Sequence, residues 1–207
     1  MPDDLRSYYL NQMGIERWVL RTNATDNNTL SQLAADVSVC TRCPLHRTRT
    51  HTVFSRGSSK ATWMIIGEAS ESDENEQDMP FVGRAGVLLN KMLVSAGLPH
   101  DEVYMTNVIK CRSPENHDPN HEEINQCFTY LEQQITLVKP AFILALGQIA
   151  GSSLLGSSNP LHAMRQTLHH YQGIPVIVSY HPASLLRNPS NKKHAYNDLL
   201  TVKRLLT

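Results

Sequence analysis

No stretch of this chain reaches the ~20 consecutive apolar residues that a membrane-crossing helix needs. Its first ten residues, MPDDLRSYYL, open on acids and hold no basic stretch followed by an apolar one. Neither a membrane helix nor a secretion signal is expected, and the location to expect is the cytoplasm. Net charge is missing too. The 19 basic residues balance 19 acidic ones, so overall charge does not announce a nucleic-acid partner. Aromatics are sparse at 6% and charged residues make up 18%, yet 41% of the chain is hydrophobic, which excludes a disordered chain and leaves a globular one. There is no internal repeat and no low-complexity tract. At 207 residues one well-buried core is expected, with length left over for a tail. Cysteine is scarce as well: only Cys40, Cys43, Cys111 and Cys127 occur. Without a secretion signal, these read as metal or redox ligands in a reducing compartment, not as disulfides.

What charge there is has been sorted along the chain. Arg42, Arg47, Arg49, Arg56 and Lys60 fall in a stretch without an acid. Glu68, Glu71, Asp73, Glu74, Glu76 and Asp78 fall in one without a base, and Arg187, Lys192, Lys193, Lys203 and Arg204 return the positive sign near the end. Basic patches flanking an acidic loop suit a phosphate backbone met in places, and they equally suit ordinary solvated faces.

Residues 1–21 carry an apolar cluster, Leu10, Met13, Ile15, Trp18 and Leu20. Residues 22–29, TNATDNNT, are polar and turn-rich and read as a linker. From residue 30 to 207 strands and helices alternate. Trp63–Gly67, Val103–Ile109, Ala141–Leu146 and Pro175–Tyr180 are short apolar runs of buried-strand character. Gly86–Ala96 has helical spacing and stops at Gly97; Ile124, Cys127, Leu131 and Ile135 share one face of a helix over His121–Val138. Ala150 opens a short helix and residues 195–206 close the chain with another. This order predicts a three-layer α/β/α fold around a central, mostly parallel four-stranded sheet. Ligands of such sheets sit beyond the carboxyl ends of the strands. Glu68, Asn107, Gly147 and His181 all lie at or near such ends.

Cys40 and Cys43 form a two-residue-spaced pair, Cys111 follows the second strand, and Cys127 lies on the next helix, with fifteen residues between. Four thiolates meet the ligand count of a cubane iron–sulfur cluster. A four-cysteine zinc site usually joins two short-spaced pairs, and here the second pair is split. Four unrelated buried thiols are the third reading.

Residues from about Leu33 to Leu206 resemble the iron–sulfur uracil-DNA glycosylases of family 4. The matching text is CTRCPLHRTRT, MIIGEA, PFVGRAGVLLNKML, VYMTNVIKCRSPENHDPNHEEINQCFTYLEQQI, KPAFILALGQIA and GIPVIVSYHPASLLR. The resemblance implies a [4Fe-4S] cluster on Cys40, Cys43, Cys111 and Cys127, structural and facing DNA. It implies Phe81 as the aromatic that stacks on a flipped base, and Asn107 as the amide that pairs with the uracil edge. His181 is the donor to uracil O2, and Glu68 the carboxylate near the sugar, with Glu74 a second candidate. The departures sit in one loop. Where the family's text runs Gly-Glu-Ala-Pro-Gly, this chain has Ser70 and Glu71 in place of Pro and Gly, and Asp78 replaces a later Gly. Lost backbone freedom and added negative charge point to a degenerate pocket with weak or no activity.

Residues 6–21, RSYYLNQMGIERWVLR, resemble the N-terminal peptide of the psi subunit of the bacterial DNA polymerase III clamp-loader complex. A large aromatic and several aliphatics on a segment too short to bury them suit a docking peptide. The expectation is therefore a psi-like accessory subunit on a degenerate glycosylase-like domain, with clamp-loader subunits, a chi-like subunit and DNA as partners. The alternative is an active family 4 uracil-DNA glycosylase with a replisome-docking tail.

Overall fold

The computed structural model describes residues 29–206 except 71, 99–101 and 115–116; for residues 72, 73, 203, 205 and 206 it describes the backbone alone. The segment 1–21, with Leu10, Met13, Ile15, Trp18 and Leu20, lies outside the described residues, as does the 22–29 linker up to Asn28. Helices are α1 (Leu30–Ser38), α2 (Ser72–Gln77), α3 (Gly83–Ser95), α4 (His121–Val138), α5 (Gln148–Leu155), α6 (Leu161–Met164), α7 (Pro182–Arg187) and α8 (Lys192–Leu206). Strands are β1 (Arg56–Gly57), β2 (Trp63–Gly67), β3 (Val103–Asn107), β4 (Phe142–Leu146), β5 (His169–Tyr171) and β6 (Ile174–Ser179). None of the described helices is long and apolar enough to cross a membrane.

The sheet has six strands in the order β1-β3-β2-β4-β6-β5. The four expected strands are its parallel centre, with Trp63 paired to Val103 and to Phe142, and Ile143 to Val176. Two short antiparallel edges, β1 on β3 and β5 on β6, add to the expected sheet. With two and three residues they are too short for a period-two pattern. The second central strand also ends earlier than its apolar text, at Asn107. Val108 and Ile109 leave the sheet, and their N–H groups donate to the carbonyls of Gly67 and Glu68, both at 2.9 Å.

Every residue of β2, β3 and β4 is buried, as in strands covered on both faces. Alternation then sends Met64, Ile66, Tyr104, Ile143, Ala145, Val176 and Val178 into one core with Leu131 and Ile135 of α4. Ile65, Met105, Phe142, Leu144 and Ile177 enter the other, with Leu89 and Leu93 of α3 and Leu199 and Val202 of α8. Helix α4 starts on a capping box: Glu123 N–H donates to Asn120 Oδ1 at 3.0 Å, and Asn120 N–H to Glu123 Oε2 at 2.9 Å. Helix α1 is an element the sequence reading lacks. Its signal is a Thr29 cap, whose Oγ1 accepts from Gln32 N–H, ahead of Leu30, Leu33 and Val37. Helix α3 begins three residues before its expected start, at Gly83.

The carboxyl end of β6 is held by a buried charge pair. Arg165 Nε and Nη2 donate to Asp198 at 2.9 and 3.0 Å, and Ser179 Oγ donates to the same carboxylate at 2.6 Å. The Arg165 guanidinium lies 4.3 Å from the Tyr180 ring centroid. This pins the chain one residue before His181.

Candidate active site and cysteine-lined cavity

The predicted residues cluster beyond the strand ends: Glu68 and His181 line one groove, and Phe81, against the His181 ring, leads on to Asn107. Asn107 closes β3 and is 1% exposed. Its Nδ2 donates to Glu74 Oε2 at 3.3 Å, while Glu74 Oε1 accepts the Phe81 N–H at 2.7 Å. Glu74 is thus a buried bracket that ties the base-stacking candidate to the amide candidate, not a group turned to the sugar. Spending one Nδ2 proton on Glu74 fixes which way the amide faces. What is left is one N–H donor beside the Oδ1 acceptor, an arrangement that reads an edge offering an acceptor next to a donor. Phe81 holds φ at 57°, and its ring centroid lies 5.9 Å from that of His181 at 32°. Gly67 forms the floor: a Cβ there would fall 2.4 Å from Asn107 Oδ1 and 2.7 Å from Phe81 Cζ. A Cβ on Gly86 would collide with the Phe81 carbonyl at 1.6 Å, so α3 approaches the Phe81 turn only because position 86 is bare.

His181 caps α7, with its Nδ1 accepting the Ala183 N–H at 3.3 Å. The ring's single proton therefore sits on Nε2. Burial, with Arg187 adding like charge, lowers its pKa to about 4, so at neutral pH it is an uncharged donor. Glu68 is half-buried just past β2 and shares a groove with Ser70, Ser113, His117, His181 and Arg187. Asp78 takes φ 54°, a left-handed conformation that aspartate tolerates, and pairs with His51 at 3.0 Å. The Gly it replaces in the family's text is thus accommodated without losing the turn. Glu71 lies outside the described residues. Sequence reasoning missed Ser70 and Ser113 as groove residues; no motif marks them.

The four cysteines line a single cavity with Arg42, His46, Arg49, Lys110 and Tyr130. All four are free thiols. Cys40 follows α1, Cys43 precedes the 3₁₀ turn Pro44–Arg47, Cys111 lies in the loop after β3, and Cys127 is on α4. Arg49 Nη1 donates to Cys111 Sγ at 3.1 Å and the Lys110 N–H to Cys127 Sγ at 3.3 Å. Burial pushes the Cys127 thiol up to about 11 and also raises Cys43 and Cys111. Only a bound cationic centre would make such sulfurs thiolates at neutral pH. Among the described residues no three His, Cys, Asp or Glu side chains converge as a single metal ion requires. This donor set fits a multi-iron cluster, whose inorganic core keeps its thiolates apart.

The cavity and the crevice are joined by residues 107–111. Lys110 is 1% exposed, and its ammonium donates to the Asn107 carbonyl at 2.6 Å and to Thr106 Oγ1 at 2.7 Å, with Gln134 Oε1 as third acceptor. The residue beside the cysteine ligand candidate Cys111 thereby holds the backbone of the amide reader.

A family model for the uracil DNA glycosylase superfamily matches residues 54–200. The chain belongs to this superfamily. The type-4 uracil-DNA glycosylase of Pyrobaculum aerophilum is 38% identical over 180 residues, 82% of this chain and 91% of that protein. The enzyme of the same name from Archaeoglobus fulgidus is 35% identical over 188 residues, 86% and 93% of the two chains. That from Thermotoga maritima is 39% identical over 158 residues, 75% and 82%. These relatives place the chain in the type-4 family. They also overturn the expectation of a psi-like accessory subunit: the similarity that runs through most of the chain is to glycosylases, and it favours the enzymatic alternative. The expectation that the enzyme has been lost finds no support in them either.

Proposed function

We propose that this protein is an active uracil-DNA glycosylase that hydrolyses the bond between uracil and deoxyribose, with a [4Fe-4S] cluster on Cys40, Cys43, Cys111 and Cys127. The observation that carries this is the Glu74 bracket, which aims Asn107 and Phe81 at one spot beside a neutral His181. A uracil slid against Phe81 offers O4 and N3–H to the Asn107 Nδ2 and Oδ1. Cytosine offers a donor and an acceptor in the reverse order and is refused. As the bond to the sugar breaks, charge gathers on uracil O2, where the His181 Nε2–H donates to it. Glu68 faces the sugar side of the same groove and stabilises the positive charge developing there. The test is strand scission of a uracil-containing oligonucleotide after alkali. The wild type should cut it, and Asn107→Ala should be slower by a factor of roughly ten to a hundred, the worth of about 1–3 kcal/mol for a bidentate base contact. A wild type without cutting refutes the reading.

When bound, the cluster supplies a rigid anchor for four chain segments. Arg49 and the Lys110 amide stabilise its sulfurs, and Lys110 carries the resulting order to Asn107. Anaerobically purified protein should be brown, absorb near ~400 nm and contain roughly four irons per chain. Colourless protein holding one zinc would contradict the cluster.

The tail at residues 6–21 is proposed to dock on a clamp-loader subunit through Trp18 and its apolar neighbours, supported by the sequence resemblance alone. Pull-down of clamp-loader subunits by the full chain should be lost in Trp18→Ala; retained capture would rule this out.

A further inference from the structure

The groove that carries Glu68 and His181 also holds two buried hydroxyls without a hydrogen-bond partner among the described residues. Ser70 and Ser113 are 4% and 3% exposed. Both line that groove, and neither side-chain oxygen has a hydrogen-bond partner among the described residues. Ser70 forms a parallel backbone bridge with Arg112, so the loop after β2 and the loop after β3 lie side by side and hold both serines in one wall. An orphaned buried hydroxyl is unfavourable, and a polar one in a site signals a small bound polar group. The chemistry of the wall selects which one. Serine hydroxyls donate and accept, whereas an ionised Glu68 only accepts. A phosphate oxygen would meet the Glu68 carboxylate as a like charge. Water can donate to the carboxylate and exchange hydrogen bonds with both hydroxyls.

We propose that Ser70 and Ser113, with Glu68, hold the water molecule that attacks the sugar; this rests on the glycosylase reading above. In the step itself, the bond from uracil N1 to C1′ breaks and its electron pair leaves with uracil, whose O2 is held by His181. The water oxygen forms the new bond to C1′. Its proton passes to Glu68 and from there to the departing uracil or to solvent, so hydrolysis balances without any further reactant. The two serines are positioning residues: they aim the nucleophile and do not touch the base. Ser70 stands where the family's text has proline, so this hydroxyl is a feature of the present chain.

The experiment uses the full-length cluster-loaded protein and the variants Ser70→Ala, Ser113→Ala and Ser70→Thr. Uracil oligonucleotide is turned over in buffer with added methanol, and the methyl glycoside is measured against the free abasic sugar. Each alanine variant should raise the methanol-to-water product ratio severalfold and slow single turnover by up to about tenfold, one hydrogen bond's worth. Affinity for a non-cleavable 2′-fluoro-deoxyuridine oligonucleotide should be unchanged. Ser70→Thr, which keeps the hydroxyl, should restore the wild-type ratio. A ratio unchanged in both alanine variants overturns the proposal, whatever the rate does. Weakened affinity for the analogue at an unchanged ratio also overturns it, and assigns the hydroxyls to a phosphate. Absence of uracil release by the wild type would instead refute the glycosylase reading, and this inference with it.

Discussion

Replacing His181 with leucine is expected to slow uracil release about 10²–10³-fold while the fold and the cysteine cavity persist. The size follows from losing one preorganised donor aimed at a developing oxyanion. The donor is preorganised because its other nitrogen accepts the Ala183 N–H, which leaves the ring one proton and one direction in which to offer it. A charged imidazolium would attract the ground state as well as the transition state, whereas a neutral donor in a buried site gains mainly as charge forms. Single-turnover rates measured against pH check this directly. With a pKa of about 4, His181 stays neutral from the ordinary histidine range upward, so the wild-type rate should show no His181 titration near pH 6.5. The same depression has a stability sign. Between pH 6.5 and about 4 the unfolded chain binds a proton at this position that the folded chain refuses, so the contribution to stability is present above that window and is lost as pH falls through it. A rate that switches on with protonation near pH 6.5 would contradict the neutral donor, as would a His181→Leu variant of near-normal rate.

Asp198→Ala should be the most destabilising single change at the carboxyl end of β6. It strips the partner from Arg165, whose side chain is 5% exposed, and leaves the Ser179 hydroxyl unpaired. Breaking a buried charge pair from one side costs about 3–5 kcal/mol. In a domain of this size each kcal/mol moves the midpoint by roughly 2–4 °C, so thermal unfolding should shift down by about 10 °C. Removing both charges together, as in Arg165→Met with Asp198→Leu, should cost less than Asp198→Ala alone, because no ion is then left buried without a partner. A double variant as unstable as the sum of its single changes would mean that the pair contributes nothing beyond its separate side chains. The pair also sits just behind His181, so Asp198→Ala should slow uracil release even at temperatures where the variant is folded.

A match confined to the tail does not set the function of the whole chain. Sixteen residues with Trp18 among them suggest a replication subunit, and the altered Ser70–Glu71 loop reads as damage. Over most of the chain the relatives are glycosylases. Around the altered loop, Asp78 keeps a left-handed turn and the Glu74 bracket is intact. A loop substitution weighs as a loss in the text because text shows what has been removed. It does not show what the surrounding backbone still supports.

By itself the sequence determined the four central strands, because unbroken apolar runs such as Trp63–Gly67 have no stable home except between two helical layers. It also determined α4 to the residue, through a 3.6-residue stripe carried by Ile124, Cys127, Leu131 and Ile135. These are local signals, readable within one turn or one strand. Tertiary structure alone decided that Glu74 faces Asn107 and Phe81, that Lys110 bridges the cysteine cavity to the amide reader, and that Ser70 and Ser113 share a wall. Each of those depends on how segments apart in the chain come to rest against one another. Hydrogen bonds across such separations are set by the packing of the whole sheet, and no periodicity along the chain encodes them.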